Sequence, residues 1–156
     1  MSESKDEPID LLVREARRKM LDWAKNNIPE NDSIKYEVEV DEFNELTVRR
    51  GDIKNIIKHV HENAADVYLL CDKLDKVMEG SEYLGWSYDE TFINSEGKEI
   101  QRHPNVGYWL YYKYEFQNKA TYVNILYDKQ RNEYRVYCIR DSYFNINIIQ
   151  FQGMKK

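Results

Sequence analysis

The sequence predicts an α+β fold: two or three N-terminal helices packed on one face of an antiparallel sheet of about four strands, in a single domain. Three observations carry this. Apolar residues recur at three- and four-residue spacing through the first half of the chain. In the second half they alternate with polar residues, as in half-buried strands. No Gly/Ser linker, internal repeat or low-complexity segment divides the 156 residues, a length suited to one core.

Pro8 opens the first helical pattern, where its missing N–H has no helical partner to lose. Ile9, Leu12, Ala16, Met20 and Trp23 then form an apolar stripe, and the segment NNIPEND stops the helix. Ile34, Tyr36, Val38 and Val40 alternate with Lys35, Glu37 and Glu39, which predicts an exposed or edge strand. After Leu46-Thr47-Val48, a second helix begins around Arg49-Arg50-Gly51-Asp52, with Ile53, Ile56, Ile57 and Val60 inward. Val67, Leu70, Leu74, Val77 and Met78 mark a third, ending at Gly80. Strands follow at Tyr83–Tyr88, Tyr108–Gln117, Thr121–Tyr127 and Glu133–Arg140. A polar excursion spans 89–105, and the turns fall at Asn118-Lys119 and Lys129–Asn132. Ser142–Phe151 reads as a last strand or an ordered tail.

Composition narrows the function. No run approaches the 18 apolar residues of a membrane helix, and MSESKDEPID is acidic without the apolar stretch of a secretory signal. Two distant cysteines, Cys71 and Cys138, fit reduced structural thiols in a cytosol rather than a disulfide scaffold. No cluster suggests a metal site, and no cofactor is expected. The net charge of −5 is uneven: residues 1–100 carry 14 basic against 24 acidic side chains, and residues 101–156 carry 9 against 4. A basic half can bind a polyanion despite an acidic whole, although solubilising charge on strands accounts for it equally. Nine of the 13 tyrosines also lie in 101–156, suited to sheet packing or to stacking on bases.

Candidate chemistry centres on two histidines. His59 shares a helix face with Asn55 and adjoins Lys58, whereas His61 points elsewhere, since residues two apart on a helix diverge by about 200°. His103 sits in the excursion beside Arg102, which pairs a titrating group with a phosphate contact. Lys113, and Arg135 with Tyr137, build a cationic, aromatic surface if their rows align across the sheet. Cross-strand ion pairing is the plainer account of the same residues. The acidic run Glu37, Glu39, Asp41, Glu42 and Glu45 is a solvated edge that repels edge-to-edge pairing, or a docking surface for a basic partner.

Several short motifs carry a resemblance: Val48-Arg49-Arg50-Gly51-Asp52-Ile53-Lys54, Tyr83-Leu84-Gly85, His103-Pro104-Asn105, Tyr122-Val123-Asn124-Ile125 and Tyr134-Arg135-Val136-Tyr137-Cys138-Ile139. In this order the chain resembles the barnase/EndoU/colicin/RelE-like nuclease domains of phage head-morphogenesis proteins, polyvalent proteins and polymorphic toxins. The resemblance covers about residues 46–141, with 1–45 a helix–strand extension and 142–156 a terminal strand or tail. It implies a metal-independent domain that cleaves RNA through the substrate's own 2′-hydroxyl, or an inactive relative. Such chemistry needs a base, a cation for the phosphorane and an acid for the leaving oxygen. The implied catalytic residues are His59 and His103, with Lys58, Arg102, Lys113, Arg135 and Tyr137 on the substrate. Relatives read Asp-Ile-Lys-His where this chain has Asp52-Ile53-Lys54-Asn55, so His59 would stand in, one turn later. The competing expectation is an acidic, non-enzymatic immunity or inhibitor protein that masks a partner through residues 37–45.

Overall fold

The computed structural model describes residues 3–59, 70–116 and 118–140, with side chains described from residue 11 and, at the end of the first stretch, through residue 58. The elements in order are α1 (Glu3–Asn27), β1 (Ser33–Glu37), β2 (Glu45–Arg49), α2 (Arg50–His59), α3 (Leu74–Glu79), β3 (Glu82–Ser87), β4 (Thr91–Ile93), β5 (Glu99–Gln101), β6 (Val106–Phe116), β7 (Lys119–Asp128) and β8 (Glu133–Arg140). The expected α+β class is present, but the main sheet has six strands rather than four, in the order β1-β2-β8-β7-β6-β3. Its neighbours are antiparallel except β2 and β8, which run parallel and meet at Leu46 and Tyr134. β2 escaped the period-two reading because Leu46, Thr47 and Val48 are all buried, which removes the alternation. β1 is an edge strand, as its charged outer face suggested.

α1 starts five residues before Pro8. Its buried stripe is Ala16, Met20, Ala24 and Ile28, with Val13 and Trp23 packed beside it. Leu12, expected on that stripe, is 58% exposed, because the buried face runs through Val13 instead. The open carbonyls at the end of α1 are capped from outside: Arg50 Nε donates to the Ile28 carbonyl at 2.7 Å and Nη2 to that of Lys25 at 3.0 Å. Asp52 caps α2 in turn, its Oδ2 accepting the Arg49 N–H at 2.8 Å, as a carboxylate in a first helical turn can. Ile53, Ile56 and Ile57 face inward. α2 then follows β8, where Asn55 Nδ2 donates to the Tyr137 carbonyl at 2.9 Å. α3, expected to run from Val67 through Leu70, begins only at Leu74, because residues 70–73 form a turn closed by the Lys73 N–H on the Leu70 carbonyl at 3.1 Å; it buries Leu74, Val77 and Met78.

On the helix side, Leu110, Tyr112, Val123, Ile125, Val136 and Ile139 complete one core. The opposite side carries a smaller cluster of Val106, Trp109, Tyr111 and Leu126. The β6–β7 turn lies between Phe116 and Lys119, one residue earlier than expected, with Asn118 at φ +64°, a conformation that asparagine tolerates. The β7–β8 turn falls at 129–132 as expected, its Gln130 and Arg131 N–H groups bound by Asp128 Oδ1. The polar excursion is not irregular: it folds into the β4–β5 hairpin. The proposed strand or tail at 142–151 lies outside the described residues, as do Val60 and Val67.

Arg135 joins the helical and sheet halves. Its Nε and Nη2 donate to Asp52 Oδ1 at 3.1 and 2.8 Å, and its Nη1 donates to Asp128 Oδ2 at 2.9 Å. Those carboxylates are only 6% and 4% exposed. Burial disfavours the guanidinium charge, yet the hydrogen bonds and negative charge of Asp52, with Asp128 and Glu133 beside it, hold its pKa above the ordinary value. Arg49 pairs with Glu133 at the same junction. Arg135→Met leaves two buried carboxylates without their cation, and should cost about 3–5 kcal/mol of stability. Urea unfolding of the variant beside the wild type measures it; a loss under about 1 kcal/mol, the scale of an exposed pair, would deny the clamp.

Candidate functional site

The excursion begins at Asp89 and ends at His103, and the two residues are bonded to each other. His103 Nδ1 lies 2.9 Å from Asp89 Oδ1, and the His103 backbone N–H donates to Asp89 Oδ2. Trp109 on β6 adds its indole N–H to Asp89 Oδ1 at 3.0 Å. The Asp89 side chain is 3% exposed and that of His103 36%. Burial opposes the charge of Asp89, but the bonds from the His103 side chain, the His103 backbone and Trp109 hold its carboxyl below the ordinary 3.8. An ionised carboxylate only accepts hydrogen bonds, so in the neutral ring the proton sits on Nδ1 and the lone pair on Nε2. Among the described residues Nε2 has no hydrogen-bond partner.

Two aromatic rings wall the imidazole. Trp109 stands edge-on at 5.3 Å and Tyr137 at 5.8 Å, and they contact each other at 5.0 Å. Tyr137 reaches this position through a bulge. Asn124 pairs with Cys138 and Ile125 with Val136, which leaves Tyr137 as the extra residue. Tyr137 therefore packs with the Trp109 cluster while Ile139, two residues on, faces the helix-side core. Its hydroxyl is shifted upward, first by burial and then by the Cys138 thiol and Asp89, while Arg102 acts in the opposite sense. Deeper on this face Ser87 and Tyr111 share a buried hydroxyl contact of 2.7 Å.

The residues expected in the site are thus distributed. His103, Arg102 and Tyr137 come together. Arg102, 65% exposed, sits 3.3 Å from Glu90 at the base of the β4–β5 hairpin. Arg135 does not join them, since three of its donors are committed to Asp52 and Asp128. The rows of Lys113 and Arg135 do not align either. Lys113 lies across from Tyr122, which pairs with Arg140, whereas Arg135 is in register with Leu126 and Trp109. Four residues separate the two rows along β6, roughly 13 Å. Lys113 also contacts Glu115 at 3.6 Å, a pairing along its own strand rather than the expected cross-strand one. Lys58 is exposed on α2. His59 ends that helix, one turn past the Asn55 that bonds Tyr137, but its side chain lies outside the described residues. Among the described residues no three His, Cys, Asp or Glu side chains gather as metal ligands, and no helix is long and apolar enough to cross a membrane.

The acidic run behaves in two ways. Glu42 turns inward and accepts the Tyr112 hydroxyl at 2.6 Å; burial, then this bond, raises the Tyr112 pKa. Glu37, Glu39 and Glu45 join Glu79 around an open cleft of about 500 Å³, beside Val38 and Asn44.

No family model, curated protein or solved structure matches this chain. The site therefore stands on its own geometry. Asp89 and Trp109 escaped sequence reasoning. Asp89 is 14 residues from His103, a spacing that no motif prescribes, and only its position at the opposite end of one polar excursion hinted at a meeting.

Because the folded pKa of Asp89 is lowered, its contribution to stability is present above about pH 3.8 and fades as acid carries the pH through the folded value. Asp89→Asn should accordingly be less stable than wild type at pH 7, and the gap should close below pH 3.8. Thermal melts of both proteins across that range test it, and a pH-independent gap would contradict the assignment.

Proposed function

We propose that this chain is a metal-independent ribonuclease-like protein that cleaves RNA through the substrate's 2′-hydroxyl, with His103 as the proton-transfer group. The observation that carries the reading is the Asp89–His103 pair, in which a buried carboxylate holds Nδ1, two aromatic rings wall the imidazole, and Nε2 is left without a hydrogen-bond partner among the described residues. In this reading Nε2 takes the 2′-hydroxyl proton while that oxygen attacks the adjacent phosphorus. The P–O5′ bond breaks, leaving a 2′,3′-cyclic phosphate and a 5′-hydroxyl, and a proton must reach the departing O5′. Asp89 steadies the imidazolium that forms. Arg102 is the near cation for the phosphorane oxygens, and Tyr137 offers a ring edge against which a nucleoside packs. His59 on α2 is the candidate acid, since α2 runs beside the strand carrying Tyr137. The resemblance to nuclease domains of mobile elements points the same way. Arg135 is left out of the substrate contacts.

The decisive test is cleavage of single-stranded RNA by the purified chain in EDTA. His103→Ala should abolish it in a variant that keeps the wild-type circular dichroism spectrum. Asp89→Asn should reduce it by about 10²–10⁴-fold. Products must carry the cyclic phosphate. Absence of cleavage at high enzyme concentration, or cleavage indifferent to His103, would overturn the reading.

A second reading, an acidic protein that masks a basic partner, is favoured by one feature: the four glutamates around the cleft beside β1. There, reversing Glu37, Glu39 and Glu45 to Lys should weaken capture of a basic protein partner at least tenfold in a pull-down from the native source. Unchanged capture would remove that cleft from consideration.

A further inference from the structure

α1 has an unusual outer surface. Leu11, Leu12 and Leu21 are 52%, 58% and 38% exposed, although the helix already has a complete buried stripe from Val13 to Ile28. Leu11 and Leu21 flank a shallow groove of about 500 Å³ whose other walls are Arg14, Glu15, Arg17 and Arg18. Scattered exposed leucines are unremarkable and Leu12 points away from this groove, but Leu11 and Leu21 share one face of the helix with cations between them. Position adds a second feature. The helix spans 25 residues, about 37 Å, and its charge changes sign midway. Residues 3–10 contain Glu3, Asp6, Glu7 and Asp10 against Lys5, a net of −3. Residues 14–19 contain Arg14, Arg17, Arg18 and Lys19 against Glu15, a net of +3. Leu11 and Leu12 lie at the boundary between the blocks.

We infer that this surface docks a second copy of the chain, with the two α1 helices antiparallel and crossing near Leu12. A twofold axis there sets each acidic block opposite the other copy's basic block and brings Leu11 of the two copies together beside the axis. A parallel arrangement would oppose like charges. The complementarity is internal to one sequence, which singles out a second copy over an acidic partner or an anionic lipid surface. The groove lies on α1, and the inference does not depend on the His103 chemistry.

Block reversal tests it. Sedimentation velocity of the full chain, from low micromolar to hundreds of micromolar, should show a monomer–dimer equilibrium that weakens in high salt. Asp6→Lys/Glu7→Lys/Asp10→Lys makes both blocks positive, and Arg14→Glu/Arg18→Glu/Lys19→Glu makes both negative. Each variant should be monomeric at concentrations where wild type is dimeric, with an unchanged circular dichroism spectrum. Mixed in equal amounts they should form a heterodimer, which a merely misfolded variant would not do. A wild type that stays monomeric throughout would overturn the inference. So would dimers that survive both reversals, a mixture that fails to associate, or wild type that binds anionic vesicles while remaining monomeric.

Discussion

The guanidinium of Arg135 is the point at which the helical and sheet halves of this protein are joined. β2 and β8 are in register only at Leu46 and Tyr134, because the chain leaves β2 for α2 at Arg50. Backbone pairing alone would hold that junction weakly. Arg135 supplies the missing connection by bonding Asp52 at the start of α2 and Asp128 at the end of β7. Each carboxylate has a second task. Asp52 caps α2 through the Arg49 N–H, and Asp128 organises the β7–β8 turn through Gln130 and Arg131. One cation thereby ties a helix start, a strand and a hairpin turn into a single unit. Buried charges of this kind are tolerated when every partner is satisfied, and they are costly to break.

The position of the candidate site follows from this frame. With β8 held against α2, its bulge turns Tyr137 toward the sheet face opposite the helix-side core, and Ile139 resumes its place in that core. β6 supplies Trp109 from the neighbouring side of the same cluster. Between these rings the excursion returns, closed at its base by Asp89 on His103 and by the Arg102 N–H on the Glu90 carbonyl. An isolated two-stranded hairpin such as β4–β5 has little stability of its own, so the Asp89 contacts hold it as well as orient the imidazole. The same carboxylate thus holds the base of the hairpin and orients His103.

Electrostatics distinguishes the two ends of the molecule. Around His103 the nearby charges are Arg102, Glu90 and Asp89, a mixed set in which only Asp89 is deeply buried. At the β1 edge the acidic run divides: Glu42 turns inward to Tyr112, while Glu37, Glu39 and Glu45 line the open cleft. Part of the excess of basic residues after position 100 is taken up by acidic partners among the described residues. Arg135 serves the interior, and Lys113 and Arg102 each lie against a glutamate.

By itself the sequence determined the α+β class, the edge character of the first strand, the start of α2 at Arg50–Asp52 and the meander from β6 to β8. These follow from periodicity and from capping and turn residues, which act within a few positions of one another. It also marked His103, Arg102 and Tyr137. Only the tertiary structure decided that α1 buries Val13 rather than Leu12, that β2 completes a six-stranded sheet, and that Arg135 is a structural cation. It alone brought Asp89 and Trp109 to His103. The physical reason is common to all of these: a fully buried strand shows no alternation, a bulge reverses side-chain facing without a mark in composition, and hydrogen bonds between distant residues leave no spacing to read.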